Sequence, residues 1–172
     1  MDVTLTEEET KELILKVKPL IKSIPYITLS SVDLENNPCS SPLNSAYDEN
    51  YNFYWKSPIE TQHSQNIIIN NKVFWVLFDS NAKVGTGIGI YFKGKAYQLE
   101  ENDIKDAQKG SDLIARRVGK VGSLVMKFLK MSPRRVYKAV PEEIWINTLR
   151  MDGLHVLDGK VKITMEQLKK YS

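Results

Sequence analysis

The sequence is poor in the residues that hold metals and close disulfides: 172 residues contain one cysteine, Cys39, and two histidines, His63 and His155. A single thiol closes no internal disulfide and supplies no thiolate cage for zinc. Cys39 therefore reads as a small, half-buried strand residue. The histidines stand far apart and outside any HExxH frame, so no metal site is expected. Long apolar runs are missing as well, since none approaches the ~18 residues of a membrane span. The acidic start MDVTLTEEET lacks the basic-then-apolar order of a secretory signal, so the chain is expected in the cytoplasm. A net charge of +3 is too small to require nucleic acid as a partner.

Catalytic signatures are scarce too. Gly85-Thr86-Gly87-Ile88-Gly89 does not match GxGxxG and leads into YFKGKAYQ, a strand pattern rather than a helix, which excludes a Rossmann loop. There is no Walker-type GxxxxGK[ST] and no GxSxG elbow, so triad hydrolysis is not expected. The pairs Glu100-Glu101 and Glu142-Glu143 sit at element ends and read as solvated surface. Arg116, Arg117, Lys120, Lys127 and Lys130, followed by Arg134 and Arg135, read as the solvated face of a helix. Nucleic-acid or membrane binding there is the alternative, and steep salt dependence would reveal it.

What remains is one α+β domain over residues 1–172, a length suited to a single core. Thr6 with Glu9 three residues later predicts a capped helix over 6–24, its stripe made by Leu13, Ile14, Val17, Leu20, Ile21 and Ile24. From Tyr26 to Lys56 the period falls to two, predicting an antiparallel meander with Pro38 and Pro42 at an edge, bulge or strand start. IETQHSQNIIIN predicts a short helix. VFWVLF shows no alternation, so both faces of that strand should be covered, most economically by a second subunit. GIGIYFKGKAYQLE continues as strand. A helical insertion over 102–131 should break near Gly110 and restart at Ser111 or Asp112. Strands then return, closing in a hairpin turned at Asp158-Gly159, and a short helical tail follows.

Between Cys39 and Asn66 the polar residues fall in a suggestive order: hydroxyls in CSSPLN, an aromatic, a cation and a hydroxyl in FYWKSP, and further donors in TQHSQN at a helix start. A phosphorylated planar ligand needs such parts: a flat apolar wall, and hydroxyl, ammonium and imidazole donors near a helix N-terminus. On these residues the sequence resembles the pyridoxamine 5′-phosphate oxidase-like superfamily, the flavin-binding split barrels. The likeness runs from Ile24 through GKAYQLEE to Glu101 and resumes in MSPRRVYKAVPEEIWIN.

The resemblance implies a six-stranded antiparallel split β-barrel with flanking helices, working as a homodimer with FMN in grooves between subunits. It implies that Ser40, Ser41 and Pro42 lie along the ring or ribityl chain, with Trp55, Lys56 and Ser57 on the adjoining strand. His63 and Ser64, with Asn66 close behind, occupy the family's phosphate position, where lysine or arginine is common. Trp145 and Arg150 are implied to reach the flavin from the second subunit. PEEIWINTLRMDG departs from the arginine-rich signature of true pyridoxamine phosphate oxidases, so oxidation of vitamin B6 is not expected. The implied activity is an FMN-dependent oxidoreductase of unknown substrate, with NAD(P)H or another small donor. The alternative is a non-catalytic flavin, deazaflavin or haem binder or sensor of the same fold.

Overall fold

The structure is a computed structural model. It describes residues 4–122, 125, 132–152 and 155–171, without the side chains of 150–152 and 155–157. The elements are α1 (Glu7–Ser23), β1 (Tyr26–Val32), β2 (Pro38–Tyr47), β3 (Phe53–Pro58), α2 (Gln62–Ile69), β4 (Lys72–Phe78), β5 (Gly89–Gln98), α3 (Ile104–Arg117), β6 (Arg134–Asp152), β7 (His155–Ile163) and α4 (Met165–Lys170). The hydrogen-bonded strand order is β3-β2-β1-β4-β5-β6-β7, with a further β3–β6 pairing. That extra pairing joins the ends of a six-strand series, and the α+β arrangement is consistent with a split barrel. The chain divides into two compact units. Pro25–Trp75 and Lys93–Glu142 form one; Met1–Ile24, Val76–Phe92 and Glu143–Ser172 form the other.

In the first unit, β1 pairs antiparallel with β2 over Tyr26↔Asn44 to Val32↔Pro38, and β3 pairs with β6 over Phe53↔Ala139 to Pro58↔Arg134. Strand alternation sends odd-numbered side chains of β3 to one face and even-numbered ones to the other. Phe53, Trp55 and Ser57 are buried on the inner face, where Phe53 meets the edge of Trp75 at 5.8 Å and Trp55 stacks on Tyr137 at 5.6 Å. Tyr54 is buried on the outer face with Leu99, Ala107, Val125 and Val136. Pro42 faces only β1 in register, because the β2–β3 pairing begins at Ser45, so its missing N–H interrupts no ladder. Cys39 is half-buried within β2, as expected.

Three expectations are corrected. Helix α3 runs unbroken through Gly110, because a Cβ there would lie 2.5 Å from the Tyr54 ring: the glycine marks a close approach, not a break. The helix ends instead at Val118, followed by Gly119 at φ +70°. No restart occurs at Ser111 or Asp112, which lie within α3, and the remainder of the helical insertion expected over 102–131 falls largely outside the described residues. Asp158-Gly159 does not turn the last hairpin, since Asp158 pairs with Leu149 and Gly159 with Thr148 inside the ladder. The described register runs on to Asp152↔His155. Finally, β4 does alternate: Val73, Trp75 and Leu77 are buried, while Phe74 and Val76 are half-buried and Phe78 is exposed.

In the second unit, the Thr6–Glu9 capping box forms as expected and α1 buries Ile14, Val17, Leu20 and Ile21. Pro19 lies within that helix on its exposed side. The far end of the chain returns to the start of α1, where Lys170 and Tyr171 both donate to Glu7 at 3.0 Å.

Candidate functional site

Three of the expected site residues meet where β3 hands over to α2. Ser57 is the last inward-facing residue of β3, and the turn through Pro58 brings His63 and Ser64, both buried, back beneath it. His63 Nε2 lies 2.8 Å from Ser57 Oγ and 3.1 Å from Thr61 Oγ1, and Thr61 Oγ1 lies 2.9 Å from Ser64 Oγ. Thr61 has one hydroxyl proton and donates it to the Pro58 carbonyl at 2.9 Å, because a carbonyl can only accept. If His63 carries its proton on Nε2, it donates to Ser57 and leaves the Ser57 O–H for another acceptor. Burial pushes the His63 pKa below its ordinary 6.5, so the ring is neutral near pH 7.

The start of α2 adds backbone donors. Thr61 is its N-cap, yet its side chain makes no cap bond to the helix, since its proton goes back to Pro58. Asn66 fixes the helix on β1: Nδ2 donates to Ser31 Oγ at 3.0 Å, and Oδ1 accepts from Gln62 Nε2 at 2.8 Å. Asn66 is thus committed inside the chain.

Two residues outside the expected site complete the cluster, Arg135 having been read from sequence only as part of a basic run. Across the ladder Arg135 stands opposite Ser57 and Tyr137 opposite Trp55. The Tyr137 hydroxyl donates to Gln98 Oε1 at 2.9 Å and also meets Ser64. Burial raises the Tyr137 pKa, so it stays a neutral donor. Only cross-strand register brings these residues to Ser57, and register is invisible in local sequence.

The other expected residues lie apart. Lys56 is on the outer face of β3, where Nζ donates to Ser111 Oγ at 2.8 Å and burial lowers its pKa. Ser40 and Pro42 are exposed on one face of β2, with Ser40 Oγ 3.1 Å from Ser30 Oγ. Ser41 is half-buried on the opposite face, across from Leu29. Alternation therefore splits this three-residue run between two surfaces. Trp145 belongs to the second unit, on β6, where the ammonium of Lys162 lies 5.6 Å from its ring centroid. The side chain of Arg150 is outside the described residues.

The second unit has a cleft of about 370 Å³ lined by Val76, Phe78, Gly87, Ile88, Tyr91 and Asn147, among others. Asn147 shapes its rim: Oδ1 accepts from Gly89 N and Nδ2 donates to Gly87 O. The glycine run is thus held as a fixed loop leading into β5.

The cluster beside Ser57 suits a phosphate. Hydroxyls, an imidazole and helix N–H groups converge, and among the described residues no carboxylate bonds to Ser57, His63, Thr61 or Ser64. Glu100 acts on Tyr137 electrostatically and is itself bonded by the Gln98 amide. Nearby, the Trp55 Nε1–H is fully buried without an acceptor. Among the described residues no group of three or more His, Cys, Asp or Glu could hold a metal ion, and no helix is long and apolar enough to cross a membrane.

Several solved structures share this fold. One is a Listeria innocua protein provisionally named a pyridoxamine 5′-phosphate oxidase, at TM-score 0.58 and 18% identity, covering 78% of this chain and 97% of that one. Another is HutZ, the haem storage protein of Vibrio cholerae, at TM-score 0.60 and 15% identity, covering 77% and 92%. A third, from Bacteroides thetaiotaomicron and provisionally named a 5-nitroimidazole antibiotic resistance protein, gives TM-score 0.64 and 19% identity over 77% and 81%. At these identities the likeness is one of fold alone. Among curated protein sequences none matches. The family model described as pyridoxamine 5′-phosphate oxidase matches residues 13–147, most of the length, and the chain belongs to that family.

Proposed function

We propose that this protein binds FMN and works as a flavin-dependent oxidoreductase on a small molecule, with the cofactor in a groove between two copies of the chain. The observation that carries this is the carboxylate-free meeting of Ser57, His63, Ser64 and the start of α2. In this reading Ser57 turns its hydroxyl proton to the phosphate, Ser64 spends its own on Thr61 and so holds the start of α2, and Asn66 keeps α2 seated on β1. Ser40, Pro42 and the second copy's Trp145 are the groups offered to the ring and ribityl chain. The bound flavin supplies hydride or electron transfer, and the protein holds and orients it. Electrons come from NAD(P)H or another small donor. The half-buried face of β4, with Phe74 and Val76, supports a second copy as its cover.

Haem is the second reading, favoured by the fold shared with a haem storage protein. Against it, His63 is buried and engaged by Ser57 and Thr61, so it is not presented as an axial ligand. Absorption of the purified protein separates the two. Flavin bands, quenching of added FMN fluorescence, a dimer by light scattering and bleaching by NADH or NADPH are expected. A Soret band on adding haem, with no FMN bound, would overturn the proposal.

A further inference from the structure

A phosphate monoester carries close to two negative charges at neutral pH, and neutral hydroxyls and amides offset only part of them. Neither basic residue that the sequence singled out answers this need. Lys56 points to the other face of β3 and bonds Ser111. His63 is held neutral by burial.

Arg135 stands in the right place. The β3–β6 register pairs it with Ser57, and directly opposed residues of an antiparallel pair project from the same face with Cβ atoms about 4.5–5.5 Å apart. Two residues on, Tyr137 shows which face this is: it stacks on buried Trp55 at an interplanar angle of 12° and meets Ser64 with its hydroxyl. Arg135 is half-buried, and its charge is felt at Tyr137. Nη1 donates to the Ser132 carbonyl at 2.7 Å and the Arg134 carbonyl at 3.1 Å. Those bonds set the orientation of the head, and the guanidinium keeps its charge throughout.

We infer that Arg135 is the cation that receives the cofactor's phosphate, from across the ladder, while His63 acts as a positioning residue that orients the Ser57 hydroxyl. This rests on the FMN reading. It moves the family's usual charge from the start of a helix, where this chain has a histidine, to the neighbouring strand. Arg134, one residue earlier, is exposed opposite Pro58 and takes no part.

The test compares FMN with riboflavin, which lacks the phosphate, by fluorescence titration of the full chain. Wild type should bind FMN at least about tenfold more tightly than riboflavin, given the strength of charge-assisted hydrogen bonds. Arg135→Gln should erase most of that preference and leave riboflavin affinity unchanged. Arg135→Lys should keep only part of it, and Arg134→Gln all of it. If wild type binds neither ligand, the FMN reading falls and this inference with it. If wild type prefers FMN and Arg135→Gln keeps the preference, only the role of Arg135 falls. Equal wild-type affinity for both ligands also overturns it. Should circular dichroism show Arg135→Gln unfolded, the lysine variant decides: a reduced preference supports the role of the Arg135 guanidinium, and an undiminished one overturns it.

Discussion

The two faces of β3 carry polar clusters of opposite character. On the outer face carboxylates and ammonium groups meet in ion pairs. Lys109 Nζ lies 2.9 Å from both Asp48 and Glu49, and Lys138 Nζ lies 2.6 Å from Asp106. The Tyr54 hydroxyl sits between Asp48 at 3.2 Å and Asp106 at 3.4 Å, and burial together with those two carboxylates pushes its pKa far up. On the inner face, Ser57, His63, Thr61 and Ser64 bond one another, with Arg135 and Tyr137 opposite and, among the described residues, no carboxylate bonded to the four. A cluster neutralised within the chain has little to gain from a ligand. Donors without an acid gain most from an anion, so the outer cluster is a fastening for α3, and the inner one is where the proposed ligand would gain most.

The largest effects of breaking that contrast belong on the outer face, and they should appear as lost stability. Asp48 accepts from the backbone of Asn50 and Asn52, from the Asn52 amide, from Tyr54 and from Lys109. Asp48→Asn puts an NH₂ against some of these donors and should cost about 2–4 kcal/mol in urea unfolding, the range for breaking a buried charged network. The selectivity for FMN over riboflavin should survive. Burial alone would raise the Asp48 pKa, but Lys109 and Asn52 outweigh it and hold it below 3.8. The Asp48 contribution is therefore complete above pH 3.8 and lost as pH falls through the folded value, a loss the variant should not show. Gly110→Ala comes next. Its methyl would enter the Tyr54 ring, and overpacking of this kind costs about 1–3 kcal/mol, less the helix propensity gained. A neutral or stabilising result would mean that α3 is not pinned to β3 there.

The contrast also explains what the sequence could reveal. Cluster members close in sequence were legible, since Ser57, His63 and Ser64 sit on one strand–turn–helix passage whose period change and donor order are local. Lys56 reads in sequence as part of the same donor run, while strand alternation assigns it to the face opposite Ser57. Arg135 and Tyr137 were not expected at the site because they lie far along the chain and meet it only through register. The same limit governed the last hairpin, where the pairing of β6 with β7 draws Asp158 and Gly159 into the ladder. Gly110 shows a third form of it: a glycine demanded by a distant ring looks, in sequence, like a helix break.

A smaller effect should appear in the pH dependence of stability on the inner face. The folded His63 pKa is depressed by burial, so the folded state binds fewer protons than the unfolded chain just below 6.5. Its contribution is intact above pH 6.5 and declines as pH falls through the folded value. His63→Gln should flatten that decline in urea midpoints measured between about pH 7 and 5, the interval in which a histidine changes charge. An unchanged slope would mean that burial does not depress the ring's pKa, and a steeper decline would mean that folding holds the ring charged, which would make His63 a rival to Arg135 for the phosphate.

The smallest expected change tests how complete the inner face is without a ligand. The Trp55 indole N–H is buried with no acceptor, a defect worth about 1–3 kcal/mol against folding. Trp55→Phe removes that donor and keeps an aromatic ring against Tyr137, but it sacrifices part of the ring's buried area. The two terms have opposite sign and similar size, so the thermal midpoint should move by only a few degrees, in keeping with a net change below about 1 kcal/mol. A loss above about 3 kcal/mol, as for a large-to-small change in a fully satisfied core, would show that the indole N–H has a partner in solution. A loss that appears only with FMN bound would identify that partner as the cofactor, and the barrel interior would then extend the site that begins at Ser57.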